Sequence, residues 1–235
     1  MIITPGPSRR RRAASRLPWM VMLLGLVMLA VMLGDIWLPI GDEFGWAARF
    51  GVQSARVAEQ VAQAWQGRLS PGLLALVSAV FVHASWLHLA GNLAYLWVFG
   101  IPVERVLGPW FLLLAFVLLS GLANLVMALV LRGEESLIIG ASGGVSAIIG
   151  VYLGLFPSRR IGLWLPLGLF LQFARIPALL VIGSWFTLQL VYTMVGPMSD
   201  TVAWQAHLAG FAAGLLVALP IRLLSGRMPS LREHG

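Results

Sequence analysis

Short groups of polar residues interrupt an otherwise apolar sequence, and one of them contains a serine that could act as a nucleophile. This is Gly140–Gly144 (GASGG), in which glycines flank Ser142. Small neighbours let another backbone approach the hydroxyl closely, and free N–H groups at a helix start can stabilise an oxyanion. The alternative is helix packing, because small residues four apart let membrane helices touch, as in Ser142, Ser146 and Gly150.

A second group could supply a general base. It is Ala206-His207-Leu208-Ala209-Gly210, with Gly214 four residues further on. Neutral imidazole can accept a proton from a serine hydroxyl near neutral pH. If the small faces around Ser142 and Gly210 pack together, Ser142 and His207 come within hydrogen-bond reach. No acid is placed to orient the ring, so the pair would be a dyad. A histidine that only bonds a neighbouring carbonyl is the alternative.

A third group holds His83, His88 and Asn92. His88 and Asn92 are four residues apart and therefore share one helix face, where their donors could stabilise an oxyanion. The alternative is that these residues brace a loop, a role that fits His83 better. No acidic ligand lies nearby and no His-Glu-x-x-His motif occurs, so we expect no metal and no cofactor.

The composition indicates that the solvent around this chain is largely lipid. Of its 235 residues, 59% are hydrophobic and 11% charged, against about 25% charged in soluble domains. All 16 basic residues are arginines and the net charge is +7. Apolar runs separate the arginines, so no basic face forms and nucleic acid is not an expected partner. Without cysteine there can be no disulfide, cysteine nucleophile or cysteine-bound zinc.

Hydropathy predicts an all-α polytopic membrane protein. A crossing needs about 20 apolar residues. The predicted spans are Trp19–Leu38, Trp86 to about Gly100, Phe111–Leu131, Leu137–Phe156, Ile176–Val195 and Val202–Leu224. They form one membrane domain, 19–224, between a basic cytoplasmic segment, 1–18, and a cytoplasmic tail, 225–235. Ile161–Phe173, bounded by arginines, is predicted to be a hairpin that dips towards the membrane.

A long outer loop is expected between the first two spans, from Pro39 to Ser85. Its middle part, Val52–Trp65, has apolar residues at a spacing that favours an amphipathic helix lying on the membrane surface. Ser70–Val82 is apolar but too short to cross, so we predict that it is partly embedded.

The arginines also predict the orientation. With the N-terminus inside, 12 of the 16 arginines fall on inner segments, as the positive-inside rule requires. Both termini are then cytoplasmic, in the cell (inner) membrane, and the site opens to the outer face. The Arg9–Arg16 cluster resembles the start of a signal peptide. No small-residue cleavage site ends the apolar run that follows, so we expect no cleavage.

The three motifs, in this order and at these spacings, resemble the rhomboid family. They are His-x4-His-x3-Asn, then Gly-x-Ser-Gly, then Ala-His-x2-Gly-x3-Gly in the last span. The resemblance implies a six-helix serine protease that cuts single-pass or other transmembrane proteins within the bilayer. It assigns the nucleophile to Ser142, the base to His207 and the oxyanion hole to His88, Asn92 and Ser142. The expected supporting residues are His83, Gly140, Gly143, Gly210 and Gly214.

The sequence departs from the family pattern at two places. Leu74-Ala75 stands about where many rhomboids carry Trp-Arg in the outer loop, and Ser146 stands where some carry an aromatic residue that stacks on the base. The resemblance therefore does not say which side chain supports His207. An inactive rhomboid-like binding protein and a small membrane transporter are the alternative functions. A transporter would show ionisable residues along a path through the bilayer.

Overall fold

A computed structural model describes residues 17–38, 40, 45–68, 70–131, 135–167, 170–195 and 204–225. Most of the predicted basic N-terminal segment, the C-terminal tail after residue 225 and the predicted start of the last span at Val202 lie outside the described residues. The helices are α1 Trp19–Trp37, α2 Gly45–Phe50, α3 Ser54–Trp65, α4 Ala75–Ser78, α5 Trp86–Tyr95, α6 Ile101–Leu107, α7 Pro109–Val130, α8 Ser142–Leu155, α9 Ala178–Val195 and α10 Trp204–Ser225.

Four helical stretches of the described chain are long and apolar enough to cross a membrane. They are Trp19–Trp37, Trp86–Leu107, Pro109–Val130 and Trp204–Leu224. The second is continuous from α5 to α6 through a π-helical turn, Leu96–Gly100, and so extends beyond the predicted end at Gly100. α8 and the apolar part of α9, Ala178–Leu188, are shorter. The chain is therefore a polytopic helical membrane protein.

The first turn of α1 obtains its hydrogen-bond acceptors from another helix. No acidic residue lies in that turn, and the first N–H groups of a helix have no partner within it. The buried Glu104 carboxylate of α6 accepts from the backbone N–H of Met20 at 3.0 Å and from that of Val21 at 2.8 Å. α1 is thereby fixed to the end of the second crossing.

α8 lies at the centre of the bundle, and its most extensive contact is with α10. Its residues from Gly143 to Tyr152 are all buried. The two backbones touch, because a Cβ atom on Gly210 would clash with the Gly143 carbonyl and one on Gly214 with the Ala147 carbonyl. The prediction that the small faces of these helices pack together is confirmed.

Two small antiparallel sheets correct the all-α expectation. The first joins β1, Val52–Gln53, to β2, Leu137–Ile138, and so ties the outer loop to the segment before α8. Its strand pairing and Gly140, whose φ is +109°, keep this segment out of a helix. The fourth apolar helix therefore begins at Ser142, not at the predicted Leu137.

The second sheet is the hairpin of β3, Arg160–Leu167, and β4, Phe170–Pro177, with Arg160 opposite Pro177. The backbone N–H of Ala178 donates to the Arg159 carbonyl at 2.8 Å and closes its base. A hairpin was predicted here, and the structure adds that it is built of strands. Its insertion towards the membrane stays a prediction.

The segment predicted to be the outer loop is largely structured where it is described. The predicted amphipathic segment forms α3, with Val57 buried and Trp65 exposed. The apolar segment that follows folds into short turns, Pro71–Leu74, α4 and Ala79–Phe81. The Asn124 amide of α7 donates to the Leu76 carbonyl at 2.8 Å and fixes this part of the loop to the bundle.

Candidate active site

Ser142 is the first residue of α8, because the chain turns sharply just before it. Gly140 has a φ of +109°, in the left-handed region that L side chains rarely adopt. The predicted span starts at Leu137, so this helix begins later in the chain than was predicted. The correct position leaves the N–H groups of the first helical turn without partners inside the helix. Such groups can face a developing negative charge near the serine hydroxyl.

The structure brings Ser142 and His207 together. The Ser142 Oγ and the His207 Nε2 are 2.6 Å apart, although 65 residues separate them in the chain. Close contact of α8 with α10 at Gly143 and Gly210 makes this approach possible. His207 is buried, and its Nδ1 has no hydrogen-bond partner among the described residues. At this distance the Ser142 hydroxyl can donate to the Nε2 when the imidazole carries its proton on Nδ1. No carboxylate is bonded to the ring in the described structure.

His88 lies beside the turn that precedes Ser142. A Cβ atom placed on Gly140 would lie 2.6 Å from the His88 Cε1, so only glycine leaves room for the ring. His88 is in the first turn of α5, where its backbone N–H donates to the Ser85 Oγ at 3.1 Å. This cap sets the start of α5 and therefore the position of the His88 side chain.

Asn92 is buried one helical turn after His88. Its Nδ2 donates to the His88 carbonyl at 3.0 Å, and its Oδ1 has no partner among the described residues. An amide nitrogen carries two hydrogens, so one remains free to donate to another acceptor. His88 and Asn92 thus share one face of α5, as predicted.

His83 precedes α5 and lies outside the membrane-spanning segments. Its Nδ1 donates to the Phe81 carbonyl at 3.2 Å, and its ring meets the His88 ring edge-on at 5.1 Å between centroids. Burial, and secondly the neighbouring His88, lower the pKa of His83 from 6.5 to about 4, against an opposing effect of the Phe81 bond. His83 is therefore neutral near pH 7 and packs behind His88.

The sequence did not point to Trp185 of α9, which the structure places next to His207. The two ring centroids are 6.2 Å apart and the rings are tilted by 57°. The Trp185 Nε1 donates to the Ser146 Oγ at 3.2 Å, and both residues are buried. The sequence feature that could have indicated such a contact is Ser146. It is a polar residue in an apolar span, one helical turn after Ser142, and a polar side chain there needs a hydrogen-bond partner from another helix.

Comparison with known proteins identifies the family of this chain. Residues 68–223 match the family model of the rhomboid domain, which is more than half of the chain, so this protein belongs to the rhomboid family. The matched range contains the serine, the histidines and the asparagine described above.

Two curated relatives are similar to parts of the chain. Rhomboid-like protein 11, chloroplastic, of Arabidopsis thaliana is 38% identical over 81 residues, which cover 34% of this chain and 29% of the relative. Rhomboid protease GlpG of Serratia proteamaculans (strain 568) is 28% identical over 200 residues, which cover 83% of this chain and 60% of the relative. The chain thus matches less than two thirds of the length of either relative.

Proposed function

We propose that this protein is an intramembrane serine protease that hydrolyses peptide bonds in or near transmembrane segments of other membrane proteins. The observation that carries the proposal is the 2.6 Å approach of the Ser142 Oγ to the His207 Nε2. This approach occurs in a chain of the rhomboid family. The similarity to the rhomboid protease GlpG of Serratia proteamaculans supports the same activity.

In the proposed mechanism, Ser142 is the nucleophile and His207 the general base. The Oγ attacks the scissile carbonyl carbon while its proton moves to the His207 Nε2. The tetrahedral intermediate collapses, the C–N bond breaks, and His207 returns the proton to the leaving amine. A water molecule then attacks the acyl-enzyme carbonyl and gives a proton to His207. The second tetrahedral intermediate collapses, the C–Oγ bond breaks, and His207 returns this proton to the Oγ, which frees the acid product and restores the Ser142 hydroxyl. No carboxylate is needed in this scheme, so the pair acts as a dyad.

The oxyanion of the tetrahedral intermediate needs hydrogen-bond donors near the turn that precedes Ser142. The unpaired N–H groups at the start of α8 are one source, and Ser142 contributes its own. The side chains of His88 and Asn92 are the other, because His88 touches Gly140 and Asn92 has a free amide hydrogen. We assign His83, Gly140, Gly143, Gly210 and Gly214 to support of the site.

The shortness of α8 supports entry of water at its N-terminal end. The 14 residues of α8 span about 21 Å at 1.5 Å per residue, whereas the hydrocarbon core is about 30 Å thick. The shortfall of about 9 Å leaves Ser142 below the membrane surface at one end of the bundle. Hydrolysis requires this end to be open to water, and the outer loop lies around it through the β1–β2 pairing.

We further propose six crossings, made by α1, the α5–α6 helix, α7, α8, α9 and α10, with both termini in the cytoplasm. The site then opens to the outer face of the cell (inner) membrane. The distribution of arginines supports this orientation. A reporter fused after Gly235 tests it, since a cytoplasmic signal is expected and an exterior signal would invert the arrangement.

A cleavage assay in defined lipids tests the proposed activity directly. Purified wild-type protein and its Ser142→Ala variant are given a single-span substrate and, separately, a serine-reactive fluorophosphonate. We expect cleavage and labelling by the wild type and neither by the variant at equal thermal stability. A wild type that binds the substrate but is neither labelled nor active would instead identify an inactive rhomboid-like binding protein. Transport of a solute without cleavage of the substrate would identify a small membrane transporter.

A further inference from the structure

We propose that Trp185 is a positioning residue for His207 and that Ser146 holds Trp185 in place. The inference rests on the proposed function, because it assigns a support to the base of the Ser142–His207 dyad. It goes beyond that function by naming the side chain that fixes the imidazole and the helix from which this side chain comes.

His207 needs such a support because no hydrogen bond from the described residues holds the Nδ1 side of its ring. The Nε2 faces Ser142 at 2.6 Å, while the buried Nδ1 has no partner among the described residues. One hydrogen bond at one end of the imidazole does not prevent the side chain from rotating. Packing against neighbouring side chains must therefore hold the ring in place. In the described part of the chain, the His207 ring packs against Trp185, at 6.2 Å between centroids and a tilt of 57°. Aromatic rings attract each other at centroid distances of about 4.5–7 Å.

Ser146 explains why the indole stays there. Residues four apart lie on one face of a helix, so Ser142 and Ser146 are stacked one turn apart on α8. The Ser142 hydroxyl bonds to α10 and the Ser146 hydroxyl accepts the indole N–H of Trp185 from α9 at 3.2 Å. A buried indole N–H requires an acceptor, and Ser146 is fully buried. One face of α8 thus fixes both the base and the ring that packs against it.

Trp185 also touches the helix that carries the proposed oxyanion donors. Its ring centroid lies 4.2 Å from that of Tyr95 in α5. The indole is therefore bounded by Tyr95, His207 and Ser146, which belong to three different helices. In this position Trp185 can fix the orientation of the imidazole relative to His88 and Asn92, the proposed oxyanion donors.

Rates of Ser142 labelling by a small fluorophosphonate test the proposal, because labelling needs the base but not the entry of a transmembrane substrate. The protein is the full chain in detergent, and the variants are Trp185→Leu, Trp185→Phe and Ser146→Ala. We expect Trp185→Leu to lower the labelling rate constant about tenfold, which corresponds to the loss of an aromatic contact. Trp185→Phe keeps a ring and should remain within about threefold of the wild type. Trp97→Phe, at an exposed position, is the matched control and should match the wild type.

A double-mutant comparison checks the link to Ser146. Ser146→Ala should lower the labelling rate in the wild-type background but have no further effect in the Trp185→Phe background, which lacks the indole N–H. Wild-type labelling by Trp185→Leu at equal thermal stability overturns the proposal. So does a loss that appears only with the transmembrane substrate, because Trp185 would then act on substrate entry. Failure of the proposed function is distinct, since wild-type protein would then not be labelled at Ser142 at all.

Discussion

At the scale of single residues, a substitution of Asn92 tests whether the proposed stabilisation of the oxyanion can be separated from proton transfer. We expect Asn92→Ala to lower kcat about 10²–10³-fold, the usual cost of one oxyanion donor, while labelling of Ser142 stays detectable. His207→Ala should abolish both cleavage and labelling, because it removes the proposed base. Steady-state kinetics and fluorophosphonate labelling of variants with equal stability measure the difference. A kcat equal to that of the wild type would make Asn92 a packing residue.

His83 should make the stability of the protein depend on pH. Its pKa is lowered from 6.5 to about 4 in the folded state, chiefly by burial. Between these values the unfolded chain binds the proton more readily, so stability is fully present above about pH 6.5 and falls as the pH decreases towards 4. The slope from one residue is at most roughly 1.4 kcal/mol per pH unit.

Thermal unfolding in detergent between pH 8 and pH 4 measures this dependence. His83→Asn cannot gain a proton and should flatten the curve over the acidic range. An unchanged curve would mean that other groups determine the acid sensitivity.

The approach of Ser142 to His207, the proposed catalytic pair, could be predicted from the sequence, whereas the side chains around the pair could not. Ser142 and His207 stand out because polar side chains are rare within apolar spans and have a stated chemistry. Trp185 does not stand out, because tryptophan is an ordinary residue of a membrane helix. Only the packing of α9 against α8 shows that its indole meets Ser146 and His207.

At the scale of helices and strands, the contact between α8 and α10 holds the two halves of the site together. We expect Gly214→Ala to destabilise the protein by about 1–3 kcal/mol through overpacking, since the new Cβ would clash with the Ala147 backbone. Activity should fall as well, because α10 must move and carry His207 with it. Thermal unfolding and cleavage rates measure the two effects.

Gly183→Ala is the matched control for this substitution. Gly183 lies in α9 and a Cβ atom there meets no heavy atom within 4 Å. This variant should keep the stability and activity of the wild type. Equal behaviour of the two variants would show that close approach of the α8 and α10 backbones is not required.

The β3–β4 hairpin leads to a prediction about the opposite end of the bundle. Leu171 and Phe173 are exposed, and Arg159, Arg160 and Arg175 lie at its base. An apolar surface beside arginines favours the lipid interface.

The chain has no cysteine, so a fluorophore attached to Leu171→Cys reports from that single position. In vesicles with anionic lipid, spin-labelled lipids should quench it more strongly than a fluorophore on Ser158→Cys in the preceding turn. Equal quenching would place the hairpin in water.

Hydropathy predicted the long helices well and the start of α8 poorly. α1, α7 and α10 begin or end within a few residues of the predicted bounds, because a continuous apolar run has few alternatives to a helix in lipid. Leu137-Ile138 is equally apolar, yet it pairs with Val52-Gln53 as a strand. The paired residues are 84 and 86 positions apart in the chain, so a hydropathy average over a short stretch of sequence does not detect the pairing.

At the scale of the whole molecule, the groups of the proposed site contain no carboxylate and no guanidinium. Ser142, His88, Asn92 and His207 are hydroxyl, imidazole and amide side chains, and Asn92 and His207 are buried. Burying a permanent ion pair is costly in a medium of low dielectric constant. A site without carboxylate and guanidinium groups avoids that cost.

The central position of α8 has a consequence for the fit between protein and bilayer. A helix that faces lipid must match the thickness of the hydrocarbon core, or the bilayer deforms at a cost in free energy. α8 is buried along its length from Gly143 to Tyr152, so this hydrophobic mismatch does not apply to it. The full-length helices around it meet the lipid instead. A thicker bilayer would therefore tilt or shift those outer helices while the depth of Ser142 within the bundle stays the same. The thickness of the host membrane would thus decide which residues of a spanning substrate lie level with Ser142.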